Sequence, residues 1–493
     1  MRDKDGRHVI FHGVNIVYKV APFLPDQQTF DSQASLTDKD IDDLVKWGFN
    51  MVRLGVMWEA VESAPGVYNE TYLAEVDALI TKLGERGIYT LVDAHQDVLA
   101  RIICGEGMPN FYAKEILEHG SFCFSQSEDW WLKPLLPNLG CTNMDSYNFT
   151  MDSDGNPLIS ECQERNFFDY YASPQGLTLF RAFYDNNFGM QDKYVAYWAK
   201  VAQSLSINKF VMGFDPFNEP YPSWTGVKQA VAQMVFRTFD HSSLEPLYAR
   251  IFEKYMEVDK ESIMFFEPGQ CPDITTILGT GIVFNVGFST PPGAKKGSPN
   301  HVLNDHTYCC QLGGMCSNGE PDPLSSNECI AWHDQRIGTR TANANLLGVP
   351  FFLSEFGACM DSYACEVEIT NVGDVADKYL TGWAYWEFKP FHDLTTSAGN
   401  KSEGFYNTDG SLQVRKVKAL ARTYVKAAQG TIKSVSFPTE PPLYKAGNFT
   451  AVISIDSRVK APTVIHTLVE SEDETVWYPN GYEIEVKPAE FKY

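Results

Sequence analysis

Short apolar runs alternate along this chain with longer segments whose apolar residues recur at helical spacing. Phe210, Val211, Met212 and Phe214 form an apolar run before Asp215, which is typical of a strand covered on each side in a parallel sheet. Residues 72–86 place apolar side chains from Leu73 to Leu83 at helical intervals, and Gly87 follows where that helix is expected to end. The pattern therefore predicts strands and helices in turn, the order that builds parallel sheets with crossover helices.

Eight runs fit strands and six segments fit helices. The predicted strands are residues 10–19, 49–58, 88–92, 210–215, 262–267, 301–308, 350–355 and 381–389. The predicted helices are residues 36–49, 72–86, 191–204, 244–258, 332–347 and 412–429, and the first has Thr37 as its cap with Asp40 three residues later. Eight strands joined by helices predict an α/β fold, a (β/α)8 TIM barrel.

Two parts of the chain do not fit this repeat. About 110 residues separate the third and fourth strands, which predicts an insertion at about 98–190, much longer than a usual barrel loop. The last part of the chain is rich in Val, Ile, Thr and Tyr, and residues 450–455 and 482–486 predict strands of a small antiparallel module. We therefore predict a barrel domain over residues 1–429 and a C-terminal β module, similar to a β-sandwich, over residues 430–493.

Polar residues stand at the ends of the predicted strands, where a parallel barrel gathers side chains from different strands into one bowl. Asn218 and Glu219 follow the fourth strand, and Glu355 ends the seventh. Two carboxylates about 5–5.5 Å apart are what a retaining glycosidase uses, one as nucleophile and the other as general acid and then base. The two glutamates therefore predict a glycosidase site at the carboxyl ends of the strands.

Composition excludes several classes of partner. The formal charge of −23 and the pI of about 4.8 argue against nucleic acid and give no attraction to anionic lipid, so any peripheral membrane contact is expected to be apolar. The sequence has no run of 18 or more uncharged apolar residues that would predict a membrane span. No CxxC pair faces a second such pair or a His pair at ligand spacing, so we expect no metal and no cofactor. Nothing in the sequence requires more than a monomer.

The cysteines and the glycosylation motifs favour an oxidising compartment. Eleven cysteines lie in segments that resemble loops, which favours disulfides, and the odd count leaves one thiol that we assign to Cys271. Cys359 with Cys365, and pairs within residues 309–329, are the natural pairings. The chain starts at Met1 without an apolar leader, so a secretory route implies a signal peptide outside it. A secreted or lumenal protein also fits the Asn-X-Ser/Thr motifs at Asn69, Asn148, Asn400 and Asn448.

The segments around the polar strand ends resemble one enzyme family. They are similar to glycoside hydrolase family 5, and their combination resembles the endoglycoceramidases, in the segments HGVNIVYK (12–19), DAHQD (93–97), DPFNEP (215–220), SEFG (354–357) and WAYWEF (383–388). The resemblance spans nearly the whole chain. It implies a retaining hydrolase that cuts the β-glycosidic bond between oligosaccharide and ceramide in a glycosphingolipid, such as a ganglioside, and releases both parts intact.

Position and resemblance together suggest a role for each residue of the central site. Glu219 is expected to be the acid/base, with a pKa kept up by the charge of nearby Glu355, which is expected to be the nucleophile. Asn218 is expected to hydrogen-bond the sugar 2-hydroxyl, unless it serves only as a cap or turn residue. Tyr308 is placed to orient Glu355, and His306, two residues earlier, is a further candidate.

Other side chains at strand ends are candidates to bind sugar, each with a structural alternative. His95 is expected to bind a sugar hydroxyl, while Asp93 either binds sugar or fixes the histidine tautomer. Lys19 either donates to a sugar hydroxyl or merely caps a strand in solvent. Trp386 either stacks on a sugar ring or lies in the core. Arg53 either pairs with a catalytic carboxylate or completes a buried ion pair.

The substrate leaves alternatives open. The aromatic residues of the insertion either line a slot for the ceramide or form the core of the insertion itself: Phe111, Tyr112, Phe122, Phe124, Trp130, Trp131, Phe167, Phe168, Tyr170 and Tyr171. The same barrel and glutamates would serve a family 5 β-glycosidase that acts on a soluble β-glucan or a simple glucosylceramide. A non-catalytic carbohydrate- or lipid-binding protein is disfavoured because both glutamates are present.

Overall fold

The protein is described by a computed structural model over residues 1–121, 142–165, 167–224, 226–270, 282–309, 316–317, 320–321, 326–395, 403–439, 448–469, 477–478 and 480–487. In these ranges no helix combines the length and the apolar character needed to cross a membrane. The predictions for Cys271 and Asn400, and for the insertion aromatics at 122, 124, 130 and 131, lie outside the described residues.

Eight parallel strands close into a barrel, which confirms the predicted fold. In chain order they are β1 His12–Ile16, β2 Met51–Gly55, β3 Tyr89–Asp93, β4 Val211–Asp215, β5 Met264–Phe266, β6 His301–Thr307, β7 Phe351–Phe356 and β8 Gly382–Tyr385. Each strand pairs with the next, and β8 returns to β1 through the register of Trp383 with His12. All eight predicted strands are present: β3 and β7 begin and end one residue later than predicted, and the other six are shorter by one or a few residues.

Apolar side chains fill the part of the barrel interior nearer the amino ends of the strands. One residue on or beside each strand contributes to this layer: Phe11, Met51, Leu91, Met212, Phe265, Val302, Phe352 and Ala384. This packed layer closes the barrel at that end. The polar side chains lie at the opposite end, where the carboxyl ends of the strands form one bowl.

Helices surround the barrel and form most of its outer layer. Those between the barrel strands and after β8 are Asp38–Lys46, Trp58–Val61, Glu70–Glu85, Met190–Leu205, Val227–Met234, Glu245–Val258, Ser326–Leu347, Tyr363–Tyr379 and Val414–Leu420. Thr37 and Asp40 each bond the backbone of the other in the predicted capping box. The helix Tyr363–Tyr379 was missed by the sequence analysis.

The insertion after β3 is mostly helical where it is described. Its helices are Asn110–Leu117, Ile159–Cys162, Phe168–Tyr171 and Pro174–Tyr184. A disulfide between Cys104 and Cys162 ties its start to its middle. Two further disulfides, Cys309–Cys329 and Cys359–Cys365, follow β6 and β7 and confirm the pairings predicted for those segments.

The C-terminal part forms two small antiparallel sheets, and it departs from the prediction in two places. The predicted helix 412–429 ends at Leu420, and Tyr424–Ala428 is instead a strand between His8–Val9 and Val464–His466. Gly430–Ser436 pairs with Thr450–Ile455, as predicted for the latter. The predicted strand 482–486 is wrong, because these residues have no regular structure. One apolar cluster contains residues of both sheets: Ile10, Tyr424, Val425, Ala428, Ile432 and Val435.

Candidate active site

A buried arginine connects the polar strand ends. The Arg53 side chain on β2 has no exposed area, and its Nη1 donates to Glu355 Oε1 at 2.5 Å. Its Nε donates to Asp215 at 3.0 Å, and Nη2 donates to Asp93 at 2.9 Å and to Asn218 at 2.8 Å. Arg53 therefore does both things that the sequence left open, since it pairs with a candidate catalytic carboxylate and completes buried ion pairs.

Replacing Arg53 by methionine is expected to lower the free energy of unfolding by about 3–5 kcal/mol, because buried carboxylates then lose their shared cation. Burial already raises the pKa of Asp215 well above its usual value, and loss of Arg53 raises that pKa further, so the variant loses stability as pH rises and its defect is larger at pH 8 than at pH 5. Denaturant unfolding at both pH values measures this. Arg86→Met, at a partly exposed arginine paired with Asp38 and Asp42, is the control and is expected to change little. An equal effect of both substitutions would contradict this account.

The two predicted glutamates face each other across a histidine. An oxygen of Glu219, an oxygen of Glu355 and a ring nitrogen of His306 all lie within 4.8 Å of one another. His306 Nδ1 is 2.7 Å from Glu219 Oε1 and 3.4 Å from Glu355 Oε2. The Tyr308 hydroxyl donates to Glu355 Oε2 at 2.8 Å, in the contact predicted from the sequence. This close approach fits the separation of about 5–5.5 Å in retaining glycosidases.

Burial and neighbouring charges make the two carboxyl groups different. Burial, together with the charge of Glu355, raises the pKa of Glu219, although contact with His306 acts in the opposite direction. Burial alone would lower the pKa of His306, but carboxylates around it, above all Glu267 and Glu355, raise its pKa well above the usual value. Burial and the charge of Glu355 also raise the pKa of Tyr308, so its hydroxyl remains a donor. The site thus favours a proton on Glu219 beside a Glu355 that accepts bonds from Arg53 and Tyr308.

The end of β3 presents a histidine fixed by an aspartate. His95 Nδ1 lies 2.8 Å from Asp93 Oδ2, so Asp93 sets the orientation of the ring. Burial opposes protonation of His95, but the charge of Asp93 raises its pKa to about 9. The ring of Trp386, directly after β8, stacks on His95 with centroids 5.1 Å apart. Asn218 donates to the carbonyl oxygen of Gln96 at 3.1 Å, which holds its amide beside His95.

Lys19 lies three residues after β1, and it is buried rather than open to solvent. Its ammonium nitrogen is 2.8 Å from Asp97, 3.0 Å from Asp393 and 3.3 Å from Glu106. The same nitrogen lies 4.9 Å from the ring centroid of Trp386. The structure therefore excludes a strand cap in solvent and shows a cation that joins the segments after β1, β3 and β8.

Three side chains that support this site were not among the site residues predicted from the sequence. Glu267, directly after β5, accepts the backbone N–H of Glu219 at 3.0 Å. Gln96 donates to the carbonyl oxygens of Asn218 and Glu219 at 2.7 and 3.1 Å. Asp215 accepts from the arginine at the centre of the site. A signal was available for Glu267, which ends a predicted strand and precedes a proline as Glu219 does.

Comparison with known proteins assigns the chain to an enzyme family. Residues 3–129 and 175–392 match the sequence profile of Cellulase (glycosyl hydrolase family 5). The chain belongs to glycosyl hydrolase family 5. Both candidate glutamates of this family 5 enzyme lie within the matched residues, which makes it a glycoside hydrolase.

Two proteins of similar sequence match the family 5 enzyme over nearly its whole length. It is 26% identical to an endoglycoceramidase of Cyanea nozakii, over 99% of this chain and 85% of that protein. It is 27% identical to an endoglycoceramidase of Hydra vulgaris, over 99% of this chain and 81% of the relative. The solved structure of endo-glycoceramidase II from Rhodococcus sp. with ganglioside GM3 superposes with a TM-score of 0.64 at 22% identity, covering 94% of this chain and 89% of the other. That structural likeness supports the fold.

Three groups of possible metal ligands occur among the described residues of the family 5 enzyme. One contains the disulfide Cys309–Cys329, and one contains the two facing glutamates with their histidine. In the third, His95 stands with Asp97 and Glu106, and both of these carboxylates already face a lysine ammonium. The expectation that no metal or cofactor is needed stays a prediction.

Proposed function

We propose that this family 5 enzyme is a retaining endoglycosidase that hydrolyses the β-glycosidic bond between oligosaccharide and ceramide in glycosphingolipids. The observation that carries the retaining mechanism is the approach of Glu219 and Glu355 oxygen atoms to within 4.8 Å. The substrate class rests on relatives named endoglycoceramidase that match nearly the whole chain. A similar solved structure, which holds ganglioside GM3, supports the same class.

The two glutamates divide the reaction into two displacements. Glu355 attacks the anomeric carbon and forms a glycosyl ester, while Glu219 gives its proton to the leaving oxygen of ceramide. Glu219, now a carboxylate, takes a proton from water as that water attacks the same carbon. The bond to Glu355 breaks, the oligosaccharide leaves with its configuration retained, and Glu219 has its proton again. Arg53 and Tyr308 hold Glu355 in position for both steps.

The sugar next to the cleaved bond lies against the remaining strand ends in this proposal. Asn218 bonds the 2-hydroxyl, a contact that strengthens in the transition state. His95 bonds a neighbouring hydroxyl, with Asp93 behind it, and Trp386 covers an apolar sugar face. Lys19 supports this wall from the ring of Trp386 and from the carboxylates that surround its ammonium.

We propose that apolar side chains around the mouth of the barrel contact membranes or micelles. Large apolar side chains are exposed in the insertion after β3 and in the segment after β4, at the end of the barrel that holds the site. They are Met151, Phe168, Phe188 and Phe236. A protein with a formal charge of −23 needs such contacts because electrostatics do not draw it to anionic lipid. We propose a monomer that binds lipid surfaces peripherally in this way.

A secreted or lumenal location remains our proposal. Three disulfides among the described residues are typical of an oxidising compartment. The asparagines of three glycosylation motifs, Asn69, Asn148 and Asn448, are exposed and therefore accessible for modification.

Mass spectrometry of the products tests the proposed substrate. The enzyme is incubated with ganglioside GM3 in detergent, and separately with a cellulose oligomer and with glucosylceramide. We expect intact oligosaccharide and intact ceramide from the ganglioside, and no product with Glu355→Ser prepared in parallel. Cleavage of the cellulose oligomer or of glucosylceramide alone would change the proposed substrate but leave the proposed roles of the two glutamates unchanged. No cleavage of any of the three would contradict the proposed activity.

A further inference from the structure

Glu219 has a backbone conformation that a residue with a side chain rarely adopts. Its φ is +40°, in the left-handed region that favours glycine. Such a conformation costs on the order of 1–3 kcal/mol and persists only where the surrounding structure enforces it. The groups that bond the peptide of Glu219 therefore determine where its carboxyl group stands.

Two buried side chains hydrogen-bond the backbone of Glu219, one at its N–H and the other at its carbonyl oxygen. Glu267 Oε2 accepts the N–H of Glu219 at 3.0 Å, and Gln96 Nε2 donates to the carbonyl oxygen of Glu219 at 3.1 Å. Glu267 comes from the end of β5 and is fully buried, while Gln96 comes from the end of β3 and is 2% exposed. The backbone of Glu219 is thus held by two neighbouring barrel strands.

The second carboxylate oxygen of Glu267 acts on Glu219 indirectly, through His306. Glu267 Oε1 lies 3.3 Å from His306 Nε2, in an ion-pair contact, and 3.4 Å from Arg53 Nη2. The opposite nitrogen of His306 contacts Glu219 at 2.7 Å and Glu355 at 3.4 Å. Glu267 therefore faces the imidazole from the side away from the two catalytic carboxyls.

The charges around His306 come from several strands. Glu219 and Asp215 belong to the β4 end, Glu267 to β5, Glu355 to β7, and Arg53 to β2. Asp305, adjacent in sequence, is already paired with Arg336 and Arg340. Among these carboxylates Glu267 is the one that meets Nε2 directly, so it is the counter-charge on that face of the ring.

We propose that Glu267 is a positioning residue for the acid/base: its Oε2 holds the peptide of Glu219, and its Oε1 keeps His306 doubly protonated between the two catalytic carboxyls. The proposal rests on the assignment of Glu219 as acid/base. It adds a residue that does not touch the sugar and that acts on both the position and the proton affinity of that acid.

Glu267→Gln separates these effects in a predictable direction. The backbone N–H of Glu219 needs an acceptor and takes the amide oxygen, so the amide NH₂ faces His306 Nε2. Two donors cannot share that contact, and the ring loses its Nε2 proton. Removing the positive charge of His306 beside Glu219 raises the pKa of the Glu219 carboxyl. We expect the basic limb of the bell-shaped pH profile of kcat/KM for a glycosphingolipid, which follows the loss of the Glu219 proton, to move to higher pH by about one unit.

Glu267→Asp is the complementary variant because it keeps the charge but withdraws the carboxylate from the peptide of Glu219. Its pH profile is expected to stay at the parent position while kcat falls about 10-fold to 100-fold and KM changes little, since a displaced acid lowers the rate without removing sugar contacts. Glu368→Gln is the matched control: Glu368 is also buried between a histidine and a backbone N–H, of His333 and Cys309, and touches neither catalytic glutamate.

A Glu267→Gln profile that superimposes on the parent profile would overturn the proposal, as would an equal shift in Glu368→Gln. If Glu267→Gln does not fold, ¹⁵N-histidine NMR of the parent decides, with His306 assigned through His306→Asn. We expect its imidazole to stay doubly protonated at pH 7.5, and a neutral ring there rejects the proposal. Failure of Glu219 as acid/base is recognised separately, by the azide experiment described below.

Discussion

Replacing Glu355 by serine is expected to abolish hydrolysis while leaving substrate binding. The substitution removes the carboxylate proposed to attack the anomeric carbon, so kcat should fall at least about 10,000-fold. Asn218, His95 and Trp386, which are proposed to contact the sugar, lie at the ends of other strands and remain. Calorimetric titration with ganglioside in detergent measures binding, and product release measures turnover.

A second glutamate on the surface serves as the control for this substitution. Glu253 is exposed on the helix Glu245–Val258, away from the strand ends, and Glu253→Ser is expected to retain parent activity. Retained turnover in Glu355→Ser, with contaminating enzyme excluded, would reject Glu355 as nucleophile. Loss of both turnover and binding would instead indicate that the site had collapsed around Arg53 once its contact with Glu355 was lost.

Replacing Glu219 by alanine is expected to lower turnover of glycosphingolipid by about 100-fold to 10,000-fold, because the ceramide oxygen then leaves without a proton. A substrate with an activated leaving group needs no such proton and should still form the glycosyl enzyme. Azide then attacks that intermediate without a general base and restores turnover, giving a β-glycosyl azide. The basic limb of the parent pH profile, where activity falls as Glu219 loses its proton, should disappear in the variant.

The configuration of the azide product separates the two glutamates. In Glu219→Ala the azide meets a glycosyl enzyme, so two inversions give the β-product. In Glu355→Ser no such intermediate forms, and azide that enters the vacated space gives the α-product by one inversion. Absence of azide rescue in Glu219→Ala, or the same anomer from both variants, would contradict the assigned roles.

The barrel could be predicted from the sequence because each strand is an apolar run with a polar end. The two glutamates stood out for the same reason, since each lies in the polar segment that follows such a run. Glu267 has this setting as well, yet its proposed role depends on a contact with the backbone N–H of Glu219, which is 48 positions away in the sequence. Position alone indicates that a carboxylate lies in the bowl, whereas its partner depends on the three-dimensional arrangement of β4 and β5.

Lys19 illustrates the same limit for a cation. Its place after β1 suggested a group open to sugar or solvent, but its partners Asp97, Glu106 and Asp393 come from the insertion side and from the segment after β8. Burial with three carboxylates could not be read from the residues next to it in the sequence.

The errors near the C-terminus have a different cause. Residues 412–429 contain alanine, lysine and valine at spacings that permit a helix, and the first part is helical as Val414–Leu420. Beyond it, pairing with His8–Val9 and Val464–His466 stabilises a strand, so tertiary contacts override the local preference. Residues 482–486 alternate as a strand would, but a strand also needs a partner, and the described residues provide none.

The strand pairing of the two chain ends determines how the enzyme can be oriented. The sheet that contains His8–Val9 lies at the floor of the barrel, where Tyr424 stacks on His12 at the start of β1 and bonds the carbonyl oxygen of Gly48. The backbone at Met1 joins the same region through Val9. A tether attached at Met1 would therefore hold the molecule by the side opposite its mouth, so that an immobilised enzyme presents its site outward to vesicles or cells.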